Sequence, residues 1–238
     1  MHRFLPVAVL LLVSIDLVRG EAIEIGAGRG RNWNAIKLTN DANAQINRGD
    51  LKAADQSIDA AIRADPSLWP ALYTRARLLV AEGKYAEALR DCEVVLQKDS
   101  TFAPAALLRA EANMKLGNYH VALKEVNHVI SIRPRQQFLA MAYNGRAWIY
   151  AACPDPALRN GRQAIQDAAL ACKLRFCKNS NTIDTLACAY AEMGDFDSAI
   201  RYERQAIAMG SESTYALRGF NEHLALFQQH RPARITGT

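Results

Sequence analysis

Residues able to do chemistry are few in this chain, and they are scattered. The cysteines are Cys92, Cys153, Cys172, Cys177 and Cys188; the histidines are His2, His120, His128, His223 and His230. An odd number of cysteines leaves at least one thiol without an internal partner. No Cys-x-x-Cys or His-x-x-x-His spacing occurs, so no zinc pattern is present and no metal site is expected. Cys172 and Cys177 are close enough to bridge locally, and the other cysteines read as small packing residues. His120 and His128 stand eight residues apart, too far to ligate one metal from adjacent turns, and read as surface residues. No His-Glu-x-x-His, phosphate loop or nucleophile elbow is found. Gly26-x-Gly28-x-Gly30 has no strand before it and no βαβ unit after it, so it reads as a linker. One stretch, Cys153-Pro154-Asp155-Pro156-Ala157-Leu158-Arg159-Asn160-Gly161, places a thiol, a carboxylate and a guanidinium close together. A hydrolase or transferase site there is the remote alternative; the expectation is no catalytic residue, no cofactor and no enzyme activity.

The elements that carry these residues repeat. Gly49-Asp50-Leu51-Lys52-Ala53-Ala54 is echoed thirty-four residues later by Gly83-Lys84-Tyr85-Ala86-Glu87-Ala88. It returns at Gly117 to Ala122 and again at Gly194 to Ala199. A fixed period of this size signals stacked helical hairpins. Aligned on the glycines, the repeats cover 35–68, 69–102, 103–136, 140–178 and 180–209. Their eighth positions are Ala42, Ala76, Ala110, Ala147 and Ala187, and their twentieth are Ala54, Ala88, Ala122, Ala164 and Ala199. Ten alanines in ten places point to the closest approach of two helices, where a larger side chain would force the axes beyond about 8–10 Å. The twenty-seventh position, Ala61, Val95, Val129, Ala171 and Ala206, stays small or β-branched to meet the next repeat.

Two further patterns come from the alignment. Arginine at the seventh position (Arg75, Arg109, Arg146) occurs with an acid at the twenty-third (Asp91, Glu125, Asp167), and repeats one and five lack both. Such pairing predicts ion pairs across the helix pair. In repeat four the two alanines are 17 residues apart, against 12 elsewhere, and the five extra residues fall in the proline-bounded turn at 153–161.

With its small eighth and twentieth positions, glycine turn and closing Asp65-Pro66 and Arg133-Pro134, the chain resembles the tetratricopeptide repeat family over residues 35–209. The Arg146-Ala-Trp148, Cys-Pro-Asp and Gly194-Asp-Phe-Asp combination resembles the C-terminal repeat pair of exported bacterial members. The resemblance implies an all-α, right-handed superhelix of stacked helix-turn-helix repeats, closed by a capping helix at 212–229 and a disordered tail at 230–238. It also implies a concave groove lined by the first helices and binding a peptide or protein segment, as a scaffold or assembly adaptor. The groove residues so implied are Asn43, Tyr73, Arg77, Glu111, Asn144, Trp148 and Asp184. Asn43 is present without the lysines of a carboxylate clamp, which disfavours that chaperone mode. Self-association through the repeats is the alternative. Trp148 is read equally as a groove anchor and as packing beneath the long turn.

The N-terminal twenty residues follow the grammar of a secretory signal: His2 and Arg3, an apolar run from Phe4 to Val13, and Val18-Arg19-Gly20 at a cleavage site. The run is too short to span a bilayer, so the mature form is expected to have no membrane span. Export is expected, to a bacterial periplasm first and to the medium second, with residues 21–34 a flexible leader. Net charge is +5 with interleaved signs, and the basic clusters (Arg29-Gly30-Arg31, Arg231-Pro232-Ala233-Arg234) are short and near the ends. Nucleic acid is therefore not an expected partner.

Overall fold

The structure is a computed structural model that describes residues 32–175, 178–210 and 214–235. The expected signal segment, the leader up to residue 31 and Cys177 lie outside these residues. Those described form eleven α-helices and no strand. None of the helices is long and apolar enough to cross a membrane. The chain divides between Asn113 and Met114 into two compact units.

The N-terminal unit holds α1 (Trp33–Asn47), α2 (Leu51–Ala64), α3 (Trp69–Ala81), α4 (Tyr85–Lys98) and most of α5 (Ala103–Lys115). Helix α1 starts within the expected leader because Asn32 caps it, accepting from the Ala35 amide and donating to the Ala64 carbonyl. Asp65 closes α2 with an Asx turn that accepts from the Ser67 amide and hydroxyl. Asp99 does the same for Thr101, and so ends α4 without the proline that follows Asp65. One cluster joins Ala42, Ala54, Ile58 and Leu78; a second joins Ala76, Ala88, Cys92 and Val95. Phe102 packs edge-on against both Trp69 and Tyr73, 5.1 Å between ring centres in each case.

The C-terminal unit holds α6 (Tyr119–Ile132), α7 (Gln136–Ala152), α8 (Gly161–Leu174), α9 (Ser180–Glu192), α10 (Phe196–Met209) and α11 (Thr214–Gln228). A 3-10 turn, Pro156–Leu158, lies inside the long fourth connection. Helix α7 begins four residues ahead of the expected start at Ala140. Arg133 takes a left-handed conformation and Pro134 ends α6, so the chain re-enters a helix at once, with Gln136 donating to the Leu174 carbonyl. The small residues at the eighth and twentieth positions meet expectation throughout: all ten alanines are 0% exposed.

Glycine has two distinct uses here. Gly49, Gly83, Gly117 and Gly194 have φ between 78° and 80°, and a Cβ on any of them would meet nothing within 4 Å. The turn therefore selects glycine for its backbone conformation. Gly161 has an ordinary φ, but a Cβ there would lie 2.8 Å from Met193 Cγ and 3.3 Å from the Met193 amide nitrogen. Close approach of α8 to the end of α9 selects it.

Both expected ion pairs that lie inside a single unit form. Arg75 grips Asp91 through two bonds of 2.7 Å. Arg146 grips Asp167 at 2.6 and 2.9 Å and also donates to Asn127. Hydrogen bonding to the aspartate raises the pKa of each arginine, against the opposing effect of burial.

The tail differs from expectation. Residues 230–235 are not disordered: Ala233 is 2% exposed, and the Ile235 amide donates to the Ala152 carbonyl at 2.8 Å. No repeat signature extends this far, so the sequence pattern carried no sign of that anchorage.

Candidate functional site

All seven residues implied for the groove are buried, between 1% and 8% exposed, so none presents an open face. In the N-terminal unit, Arg77 of α3 turns onto α1, donating to Asn43 and, at 2.8 Å, to Asn47. Burial lowers the Arg77 pKa, opposed by Tyr73. The Tyr73 hydroxyl is pushed up to about 12, chiefly by burial, with Arg77 opposing and Cys92 and Glu111 adding. The structure thus brings Asn43, Tyr73, Arg77 and Glu111 into a polar layer between first helices. In the C-terminal unit, Trp148 lies against the His223 ring, 5.8 Å between centres, and Asn144 leaves its buried Oδ1 without a donor. Of the two readings of Trp148, packing is the one observed, with the His223 ring of α11 against it.

The long turn is held from several sides. Cys153 is a free, buried thiol, and burial pushes its pKa up, away from the thiolate a nucleophile needs. Asp155 caps the 3-10 turn, accepting from the Ala157 amide, and lies 3.3 Å from His120 Nε2. Arg159 donates to Glu192 at 3.0 Å and to the carbonyls of Cys153 and Pro154. The thiol, carboxylate and guanidinium are thus each engaged in building the turn. From the other side Arg234 approaches the same Glu192 carboxylate at 2.7 Å, an ion pair outside good hydrogen-bond angles, and its Nη1 donates weakly to Ala151 O. His230 stacks on Phe196 at 5.1 Å. The five extra residues and the C-terminal segment therefore share one carboxylate.

Asp184 has partners beyond the implied groove. It stands one turn before Cys188 on α9, so both point the same way. His223 of α11 meets them: its Nδ1 lies 2.6 Å from Asp184 Oδ1 and 3.8 Å from Cys188 Sγ. One donor atom from each residue falls within 4.8 Å of the others. Glu203 of α10 is 0% exposed, and neither of its oxygens makes a hydrogen bond of good geometry. Burial first, then the charge of Asp184 and a hydrogen bond to it, pushes Glu203 well above the ordinary carboxylate range. Burial also pushes the Cys188 thiol far up, aided by Asp184 and Glu203 and opposed by Arg234. For His223, burial pulls the pKa down, but the charge and hydrogen bond of Asp184, with Glu222, push it further up; the net shift is upward. The sequence expectations brought none of Cys188, His223 and Glu203 together with Asp184. The i, i+4 spacing was the only available signal. Cys172 is disulfide-bonded, while Cys177, close enough in sequence to bridge with it, lies outside the described residues.

Comparison with known proteins bears on the fold. Two family models, each described as tetratricopeptide repeat, match residues 79–142 and 182–209. No curated protein sequence matches the chain. Among solved structures, a thermophilic tetratricopeptide repeat protein of Thermus thermophilus is 18% identical with a TM-score of 0.65, over 82% of this chain and 99% of that one. A tetratricopeptide repeat protein from Parabacteroides merdae is 21% identical with a TM-score of 0.59, over 84% and 75%. YrrB, described as having an unusual peptide-binding site, is 18% identical with a TM-score of 0.51, over 79% and 92%. At these identities the likeness establishes the fold class, a helical repeat superhelix. With matching repeats in both units and neighbours of the same architecture, the chain is a tetratricopeptide repeat protein.

Proposed function

We propose that the chain is a protein–protein interaction scaffold that takes an extended peptide or protein segment on its repeat surface, as an assembly adaptor. Its fold is one whose members are typically non-catalytic, and no reaction is assigned to it. The observation that carries the reading is the behaviour of the chain's own C-terminus. Residues 231–235 leave α11 and lie along the ends of α7 and α9. There the segment buries Ala233, donates one backbone hydrogen bond to Ala152, and sets Arg234 on Glu192. A surface that holds a non-helical segment by a main-chain hydrogen bond, a buried alanine and one ion pair has elements of the chemistry of peptide recognition. A bound partner would replace this segment in the same place.

The experiment truncates the chain after His230 and titrates it with a labelled peptide of residues 229–235, read by fluorescence anisotropy. Saturable binding that weakens in Glu192→Gln supports the reading. No binding by a truncated chain of native helicity overturns it. Light scattering on the full chain separates this from self-association.

We also propose that the protein is exported to a bacterial periplasm after removal of residues 1–20. The signal grammar supports this, and the disulfide at Cys172 suits an oxidising compartment. N-terminal sequencing of the protein from an envelope fraction should begin at Glu21; an intact Met1 in the cytosol would argue against it.

A further inference from the structure

We propose that Asp184, Cys188 and His223 form a binding site for a thiophilic divalent transition metal, with zinc the best fit, and that the Glu203 carboxyl, against Asp184, supports it from α10. The donor set is the first argument. One sulfur, one imidazole nitrogen and carboxylate oxygens suit zinc and disfavour magnesium and calcium, which take oxygen alone.

Geometry is the second argument. Around a tetrahedral zinc with bonds of about 2.0–2.3 Å, neighbouring ligand atoms lie roughly 3.3–3.8 Å apart. His223 Nδ1 and Cys188 Sγ are 3.8 Å apart, and all three donor atoms fall within 4.8 Å of one another. The 2.6 Å contact between Nδ1 and Asp184 Oδ1 is shorter, because a hydrogen bond joins them. Turning the carboxylate by a fraction of an ångström opens the position.

Glu203 supplies an independent observation. A carboxyl group that is 0% exposed and hydrogen-bonded to a second buried carboxyl, Asp184, is costly unless something offsets the charge the pair carries. It sits on α10 beside Asp184, while Asp184 and Cys188 come from α9 and His223 from α11. A cation here offsets the charge of that buried acidic pair. It also ties the last hairpin to the capping helix.

Binding is a proton-for-metal exchange without redox change. The thiol proton of Cys188 leaves to solvent, and the Nδ1 proton of His223 is lost from the imidazolium or passes to Nε2 of the neutral ring, as the metal takes the sulfur and Nδ1 lone pairs.

The test uses the full chain, stripped with a chelator and titrated with Co²⁺, then with Zn²⁺ in competition. One Co²⁺ per chain should bind, with a thiolate-to-cobalt charge-transfer band and the intense d–d bands of a tetrahedral ion. Cys188→Ser should abolish the charge-transfer band, whereas Cys153→Ser should leave it unchanged. His223→Gln should weaken Zn²⁺ binding about tenfold or more, and Glu203→Gln should alter the d–d bands. Zn²⁺ should raise the Tm of the wild-type chain by mass action. Absence of the charge-transfer band from wild-type protein with native helicity overturns the site. So does its retention in Cys188→Ser or, should that variant fail to fold, an unshifted wild-type Tm in excess Zn²⁺.

Discussion

Arg234, in the C-terminal segment, lies 2.7 Å from the Glu192 carboxylate at the end of α9, and Arg159 of the long fourth turn reaches the other oxygen at 3.0 Å. One acid thus couples two features that set this chain apart from a uniform repeat array. The glutamate side chain is 15% exposed and the arginines are 33% and 22% exposed, so its worth falls between that of a surface pair and a buried one. Glu192→Gln should cost about 1–2 kcal/mol. It should also release the segment locally: exchange of the Ile235 amide, which Ala152 now protects, should accelerate well before global unfolding. Hydrogen exchange by NMR on the two proteins reads this directly.

The Arg146–Asp167 pair should matter more than Arg75–Asp91, although the two occupy the same repeat positions. Asp167 is 0% exposed and also accepts from Gln163, whereas the Arg75 side chain is 37% exposed. Asp167→Ala leaves a guanidinium facing a buried, empty place and should cost about 3 kcal/mol. Asp91→Ala should cost about 1 kcal/mol. Urea melts with double-mutant cycles check both values, and equal coupling energies in the two pairs would contradict the burial argument.

These contrasts show what the sequence could carry. The alanines at Ala76 and Ala88, and the pairing of Arg75 with Asp91, were legible because each answers to a neighbour at a fixed offset within one hairpin. The environments of Asp184 and Trp148 were not. Both stand on first helices as the repeat requires, but each meets His223 of α11, a helix with no repeat signature and one histidine at an uninformative position. The family alignment implied an open face, whereas both residues meet the non-repeating His223. Gly161 read as part of a proline-bounded turn; only its 2.8 Å approach to Met193 shows why it is small.

That approach makes a prediction of sign. In an unhindered helix, Gly→Ala stabilises by about 1 kcal/mol. Gly161→Ala should be neutral or destabilising, because the new Cβ meets the Met193 side chain and, at 3.3 Å, its backbone nitrogen. Met193 is 50% exposed, so Met193→Ala alone should cost little, and in that background Gly161→Ala should recover most of the helix gain. Gly83→Ala should behave differently, losing about 1 kcal/mol or more in any background, since its φ of 78° disfavours any Cβ. Thermal melts of the four variants decide the matter. An additive Gly161–Met193 cycle would exclude the steric explanation.

The free thiols offer a check on whether the long turn carries chemistry. Cys153 is 0% exposed, and burial holds its pKa above that of an ordinary thiol, with the Asp155 charge adding to the shift. Two effects oppose this, a backbone hydrogen bond and the Arg159 guanidinium, and the net direction is still upward. An activated nucleophile shows the reverse balance, in which positive charge outweighs burial and the thiolate forms near neutrality. Cys153 should therefore resist a thiol reagent such as DTNB at pH 8 in the folded chain and react within seconds in denaturant. Arg159→Met should leave that protection in place, because the arginine's main contacts are Glu192 and the turn carbonyls. Rapid stoichiometric labelling of native Cys153, slowed by Arg159→Met, would mean that the guanidinium lowers the thiol's pKa enough to activate it, and the turn would then have to be treated as a reactive site.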